Sequence, residues 1–194
     1  MTENTQPAIL TTSVATLRVL ETEGFRQPDY VAGHSLGEYS ALVAAGAMSL
    51  ADALRTVSAR GRYMQEAVPV GVGAMAAVLG ASLSDIERAC AAASEGEICS
   101  PANINSANQV VIAGNTGAID RAIELLKSAG AKKVVKLNVS APFHCALMKP
   151  AQERLAIDLA GIGFSELEMP LVTNVDAAAI MSGVRPSSSR TSGW

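Results

Sequence analysis

The segment DYVAGHSLGEYSALVAAGAM, residues 29–48, sets a serine between two glycines where a strand-like run becomes a helix-like one. GHSLG fits G-x-S-x-G, the nucleophile-elbow pattern, in which Gly33 and Gly37 leave room for a strained strand-to-helix turn that projects the Ser35 hydroxyl. The helix that follows would direct free amides and its positive dipole end at the same point. An oxyanion forming beside Ser35 would then be held by the backbone N–H of Leu36 in particular. The plain alternative is a serine that only caps a buried helix.

A serine hydroxyl is a poor nucleophile until a base takes its proton, and the chain has two histidines. His34 is adjacent to Ser35, and neighbouring residues at a strand end face different ways, so it is badly placed for that task. His144, in SAPFHCALM, falls at the end of a strand and the start of a helix, where a second catalytic group could meet an elbow serine. A core histidine satisfied by the backbone is the other reading. Asp52, Asp85 and Asp120 lie between the two in sequence, but each is expected in the first turn of a helix, where capping explains it. No Ser–Asp–His order emerges, which argues against an ordinary α/β-hydrolase esterase.

A third chemistry-bearing residue is Arg60. On the helix expected from Leu50 to Gln65 the apolar stripe runs through Leu50, Ala53, Leu54, Val57, Gly61 and Met64, with Arg55 and Arg62 on the opposite side. At about 100° per residue Arg60 falls on the margin of that stripe. A guanidinium held against a core needs an anion, and it binds a carboxylate bidentately. A structural carboxylate and the free carboxyl of an acyl substrate serve equally well.

The elements that must position these residues follow from periodicity. Residues 8–23 place Ile9, Leu10, Val14, Leu17 and Leu20 on one helical face, closed by Gly24. DYVAG is a short strand, the helix after Ser35 is apolar nearly all round, and Ser49 caps the next helix. From Gly71 the order becomes βαββαβ, the split pattern of a ferredoxin-like unit, with Ser82 or Ser84 and then Asn115 or Thr116 as helix caps and Gly130 as a helix end. A helix after APFHC and a strand MPLVTNVDA follow. The expected division is 1–67 as the first part of an α/β core, 68–137 as an inserted small domain, 138–184 as the second part of the core, and 185–194 as a Ser/Arg/Gly-rich tail that does not fold on its own.

Composition narrows the function classes. With 194 residues, 49% of them hydrophobic, the chain can bury a substantial core. A net charge of −3 gives no basic surface for nucleic acid. No apolar run approaches the roughly 20 residues that span a bilayer, and MTENTQP is polar and acidic rather than a basic segment followed by an apolar run, so a soluble cytoplasmic protein is expected. Cys90, Cys99 and Cys145 have no paired spacing, which supports neither a disulfide framework nor a metal site, and each is expected to be a small buried side chain.

Taken together, GHSLGEYSALVAAGAMSLADALRTVSARGRYMQEAVP, GAMAAVLG, NINSANQVVIAG, SAPFHCALMKPA and PLVTNVDA, in this order, resemble the bacterial malonyl-CoA:acyl carrier protein transacylase family over about Gln6 to Gly183. The resemblance implies an α/β-hydrolase-like core with a parallel sheet and an inserted ferredoxin-like domain. It makes Ser35 the acylated nucleophile, His144 its general base and later acid, oriented by a backbone carbonyl, and Arg60 the clamp on the malonyl carboxylate. It also implies Leu36 as an oxyanion donor and Phe143 as a residue crowding substituents on the acyl α-carbon. The implied reaction is ping-pong transfer of malonyl from malonyl-CoA to the phosphopantetheine thiol of acyl carrier protein in fatty-acid synthesis, with no metal or redox cofactor. Family members begin with a strand and a GQGSQ-like loop and continue past TNVDA, so the resemblance also implies a chain truncated at both ends. A catalytically inactive fragment and a serine hydrolase are the competing readings. Lys132, Lys133 and Lys136 could face an acidic carrier protein or could simply protect an edge strand.

Overall fold

The computed structural model describes residues 2–139 and 141–181, so the tail expected at 185–194 lies outside the described residues. Residues cluster into two units: one runs from the N-terminus to Tyr63 and resumes at Gln152, and the other spans Met64–Ala151. The second unit is thus wider than the expected 68–137. Residues 138–151 fall in it because Leu137 N–H donates to Met75 O and Phe143, Cys145 and Leu147 pack on a cluster with Met75, Ala77, Val111 and Ala113.

In the first unit, helix α1 spans Thr2–Thr22 and starts earlier than expected, carrying Pro7 inside it. Its buried stripe is Gln6, Leu10 and Val14, one residue per turn. Ile9 and Leu20, expected on the core face, are exposed; the stripe is a single narrow seam rather than the broader face that five apolar residues suggest. Gly24, at φ +76°, ends the helix: its N–H donates to Glu21 O and that of Phe25 to Leu20 O, the paired bonds of a Schellman cap.

Strand β1 (Val31–Ala32) leads through the GHSLG turn into α2 (Gly37–Ala44), whose Tyr39, Ala41, Leu42 and Val43 join Leu10, Val14, Val57, Leu155 and Leu171 in the core of this unit. Helix α3 (Leu50–Ala67) is capped by Ser49, whose Oγ accepts the Asp52 N–H at 3.0 Å; Leu50 itself is exposed rather than in the stripe.

The sheet of this unit has order β1-β6-β7: β6 (Leu171–Val172) is parallel to β1, and β7 (Ala179–Ile180) is antiparallel to β6. The sheet is mixed, and the expected single strand MPLVTNVDA is cut short. Thr173 N–H donates to Ala178 O and Ala177 N–H to Thr173 O, closing a turn that holds Asn174.

The second unit carries β2 (Gly73–Leu79), α4 (Leu83–Ser94), β3 (Cys99–Ser106), β4 (Gln109–Asn115), α5 (Thr116–Ser128) and β5 (Lys133–Lys136). The antiparallel sheet order β3-β4-β2-β5 is the ferredoxin-like arrangement that βαββαβ implies. Ser82 Oγ caps α4 by accepting the Asp85 N–H, whereas Asn115, at the α5 cap position, turns its Oδ1 to the Ile98 N–H at 2.8 Å. Asp120 sits beyond the first turn of α5 and pairs with Lys136 on edge strand β5. Ile86, Ile112, Ile119 and Leu126 fill the space between helices and sheet. Cys90 and Cys145 are buried, but Cys99 is only partly so. A short 3-10 turn, Ala146–Met148, leads into α6 (Lys149–Ala160).

Two substitutions separate core from surface. Ile119→Ala, at a residue 0% exposed, should cost about 2–5 kcal/mol in urea unfolding of the second unit. Ile9→Ala, at 49% exposure, should stay within about 0.5 kcal/mol.

Candidate active site

The elbow is built by close backbone approach. A Cβ added at Gly33 would stand 1.9 Å from the Gly37 carbonyl carbon and 2.4 Å from the Glu38 nitrogen, so only glycine fits there. A Cβ at Gly37 would meet nothing within 4 Å, so the second glycine of the motif is not demanded by crowding. Ser35 is the residue that carries the strain: its φ is +52°, a left-handed value that side chains rarely adopt and that costs on the order of 1–3 kcal/mol.

The amides of the turn are mostly spoken for. Gly37, Glu38 and Tyr39 N–H donate to His34, Ser35 and Leu36 carbonyls respectively, and Ser35 N–H donates to Asn174 Oδ1 at 2.6 Å. The expected set of free helix amides therefore narrows to Leu36 N–H, the one that these bonds leave out. Leu36 itself has helical dihedrals and is half-buried.

Arg60 is the residue that gives the site its charge. It is 5% exposed; Nη2 donates to Ser35 Oγ at 2.9 Å and Nη1 to Gln6 Oε1 at 2.7 Å, with the Tyr39 ring 5.9 Å from its central carbon. Burial pushes the guanidinium down from its ordinary pKa, while Tyr39 and Glu38 act to raise it. Burial likewise pushes the Tyr39 phenol and the Glu38 carboxyl up; for Glu38 the Asn174 N–H and Arg60 pull the other way. Glu38 Oε2 accepts that Asn174 N–H at 3.1 Å.

Ser35, Leu36 and Arg60 thus come together in the first unit, joined by three residues that sequence reading missed. Gln6 had a signal, since it lies on the Leu10–Val14 seam, a polar side chain at a buried register. Glu38, in the first turn of an otherwise apolar helix, had one too. Asn174 had none, because the run around it reads as strand.

His144 and Phe143 belong to the second unit. His144 has φ +60°, so both residues assigned catalytic roles by resemblance are among the four non-glycine positions of positive φ within the described residues. The turn around it is fixed by Phe143 N–H to Ala141 O and Met148 N–H to Cys145 O, and the Cys145 thiol donates to Pro142 O. The Phe143 side chain packs against the sheet cluster of Met75, Val111 and Ala113. His34 is exposed. Among the described residues no group of His, Cys, Asp and Glu could hold a metal ion, and no helix is long and apolar enough to cross a membrane.

The strain at the elbow makes one substitution diagnostic. Gly33→Ala forces the β1–α2 turn to open and should lower Tm by about 5 °C or more in a thermal melt, whereas Gly37→Ala should shift it far less.

Residues 1–187 match the acyl transferase domain model. The malonyl CoA-acyl carrier protein transacylase of Escherichia coli (strain K12) is 53% identical over 182 residues, 94% of this chain and 59% of its own length. Its counterpart in Bacillus subtilis (strain 168) is 47% identical over 178 residues, 91% of this chain and 56% of its own. The solved malonyl CoA-acyl carrier protein transacylase of Coxiella burnetii superposes with a TM-score of 0.91 at 48% identity, covering 93% of this chain and 57% of that one. A malonyl-transacylase solved with a type II polyketide acyl-carrier protein gives 0.91 at 51% identity, covering 93% and 59%. The chain therefore spans under two thirds of the length of these relatives, and the match takes in the elbow, Arg60, the ferredoxin-like unit and the His144 turn. On these grounds the chain belongs to the acyl transferase domain family, alongside the bacterial malonyl CoA-acyl carrier protein transacylases.

Proposed function

We propose that the chain transfers a malonyl group from malonyl-CoA to the phosphopantetheine thiol of acyl carrier protein, in fatty-acid synthesis in the cytoplasm, through a malonyl-Ser35 intermediate. The observation that carries this reading is the 2.9 Å contact between Arg60 Nη2 and Ser35 Oγ. An acyl group esterified to Oγ and ending in a free carboxylate would bring that carboxylate to a buried guanidinium already fixed in place by Gln6.

The roles follow. His144 takes the Ser35 proton as Oγ attacks the thioester carbonyl, Leu36 N–H stabilises the oxyanion, and coenzyme A leaves as the thiol after protonation by His144. The carrier thiol then attacks the malonyl-serine ester, with His144 again removing and returning the proton. Phe143 limits the size of the acyl α-substituent. The reaction needs no metal or redox cofactor, because the leaving thiolate and the polarised carbonyl supply all of its chemistry. The names of the relatives, which are malonyl CoA-acyl carrier protein transacylases, support the same substrate pair.

Two assays with the purified chain test the reading. Malonyl should appear on a phosphopantetheine thiol when one is supplied; release to water at the same rate without a thiol would instead make the protein a serine hydrolase. In Arg60→Ala the preference for malonyl-CoA over acetyl-CoA should fall about 10²–10³-fold while acetyl transfer persists, because losing a buried charge partner costs about 3–5 kcal/mol. An unchanged preference would contradict the proposal.

A further inference from the structure

We propose that Asn174 and Glu38 are positioning residues for the reaction at Ser35, forming a buckle that holds the nucleophile's backbone in its left-handed conformation. The proposal rests on the malonyl-transfer reading for its kinetic consequence, but not for its structural one.

Three hydrogen bonds close a ring. Ser35 N–H donates to Asn174 Oδ1 at 2.6 Å, Asn174 N–H donates to Glu38 Oε2 at 3.1 Å, and Glu38 N–H donates to Ser35 O at 3.2 Å. The first two join positions 139 and 136 apart in sequence, so the turn after β6 is tied to the turn before α2. The ring grips the two peptide groups that flank the Ser35 Cα, and these set its φ of +52°. Releasing the Ser35 amide would free that residue to relax toward an ordinary conformation, swinging Oγ away from Arg60.

The chemistry of the two side chains suits this task and no proton transfer. Asn174 offers a neutral acceptor. A carboxylate at that position would also accept the Ser35 N–H, but it would set a second negative charge beside Glu38. Glu38 is only 4% exposed, and burial pushes its carboxyl up; its bond to the Asn174 N–H and the nearby Arg60 offset that cost in part. Arg60 and Gln6 hold the side-chain oxygen and the substrate carboxylate, while the buckle holds the backbone beneath them. The two sets meet at Ser35, and Arg60 also attracts Glu38. Loss of the Asn174 contact, which leaves both charges in place, should lower the rate of acylation and leave acyl-CoA binding alone.

Hydrogen–deuterium exchange of the full chain, resolved on peptides covering residues 33–39, tests the buckle without any need for activity. In Asn174→Ala the Ser35 amide should exchange at least tenfold faster, with α1 and the second unit protected as in the parent. In a second series, exchange should rise in the order parent, Glu38→Gln, Glu38→Ala, because glutamine keeps an oxygen acceptor; this series decides the matter if Asn174→Ala folds poorly. Single-turnover acylation by malonyl-CoA should slow about 10–100-fold in Asn174→Ala, with KM within about twofold of the parent. Unchanged exchange at Ser35, or a loss expressed in KM with the acylation rate intact, would overturn the proposal. A parent chain that takes up no malonyl group would count against the transfer reading alone, and the exchange result would still decide the buckle.

Discussion

The constraint on which the first unit depends is a guanidinium out of water. Arg60 is buried on α3, and a buried charge is tolerated only where its hydrogen bonds are made and its field is answered. Its fork reaches Gln6 on α1 and Ser35 at the start of α2, so one side chain fixes three helices around a single point. The core residues that bring those helices together, Leu10 and Val14 from α1, Tyr39 and Leu42 from α2 and Val57 from α3, are what keep the charge dry. Hydrophobic packing and the chemistry of the site are here the same arrangement, since loosening the first would admit water to the second.

A strained backbone is the second requirement. Ser35 sits in a region of φ that its side chain disfavours, and the turn closes tightly enough to forbid any side chain at Gly33. Such a conformation persists only if its surroundings overdetermine it. The strand before the turn, the buried helix after it and the Asn174 contact each restrict it from a different direction. His144 shows the same left-handed conformation within its own unit, held by the bonds around Ala141, Pro142 and Cys145. In each unit the surrounding bonds and packing hold one non-glycine residue of the family's motifs in a conformation that it would not adopt alone.

How much of this was legible in the sequence depended on range. The elbow, the caps at Ser49 and Ser82, and the ferredoxin-like strand order are written in neighbouring residues, with periods of two and about 3.6, and they emerge as read. Arg60 was legible because a charge on an apolar stripe is conspicuous. Gln6 carries the same signal more faintly, and it lies before residue 8, where the periodic stretch was expected to start, whereas α1 begins at Thr2 and runs through Pro7. Asn174 was not legible at all. Its run of apolar neighbours matches a strand, and only the pairing of Thr173 with Ala178, a closure that no local period encodes, turns it toward a serine 139 positions away. The exposed Ile9 and Leu20 make the converse point, since periodicity marks which residues share a helical face but not how wide a face the neighbours cover.

The account turns on whether Arg60 and Ser35 together recognise an acyl group with a free carboxylate. Intact-mass spectrometry of the purified chain after mixing with malonyl-CoA or acetyl-CoA, followed by peptide mapping, asks this directly. The account predicts a malonyl-sized gain, mapped to Ser35, larger than any acetyl gain and absent in Ser35→Ala. A folded chain that gains no malonyl group, or one acylated equally by both donors, would contradict it.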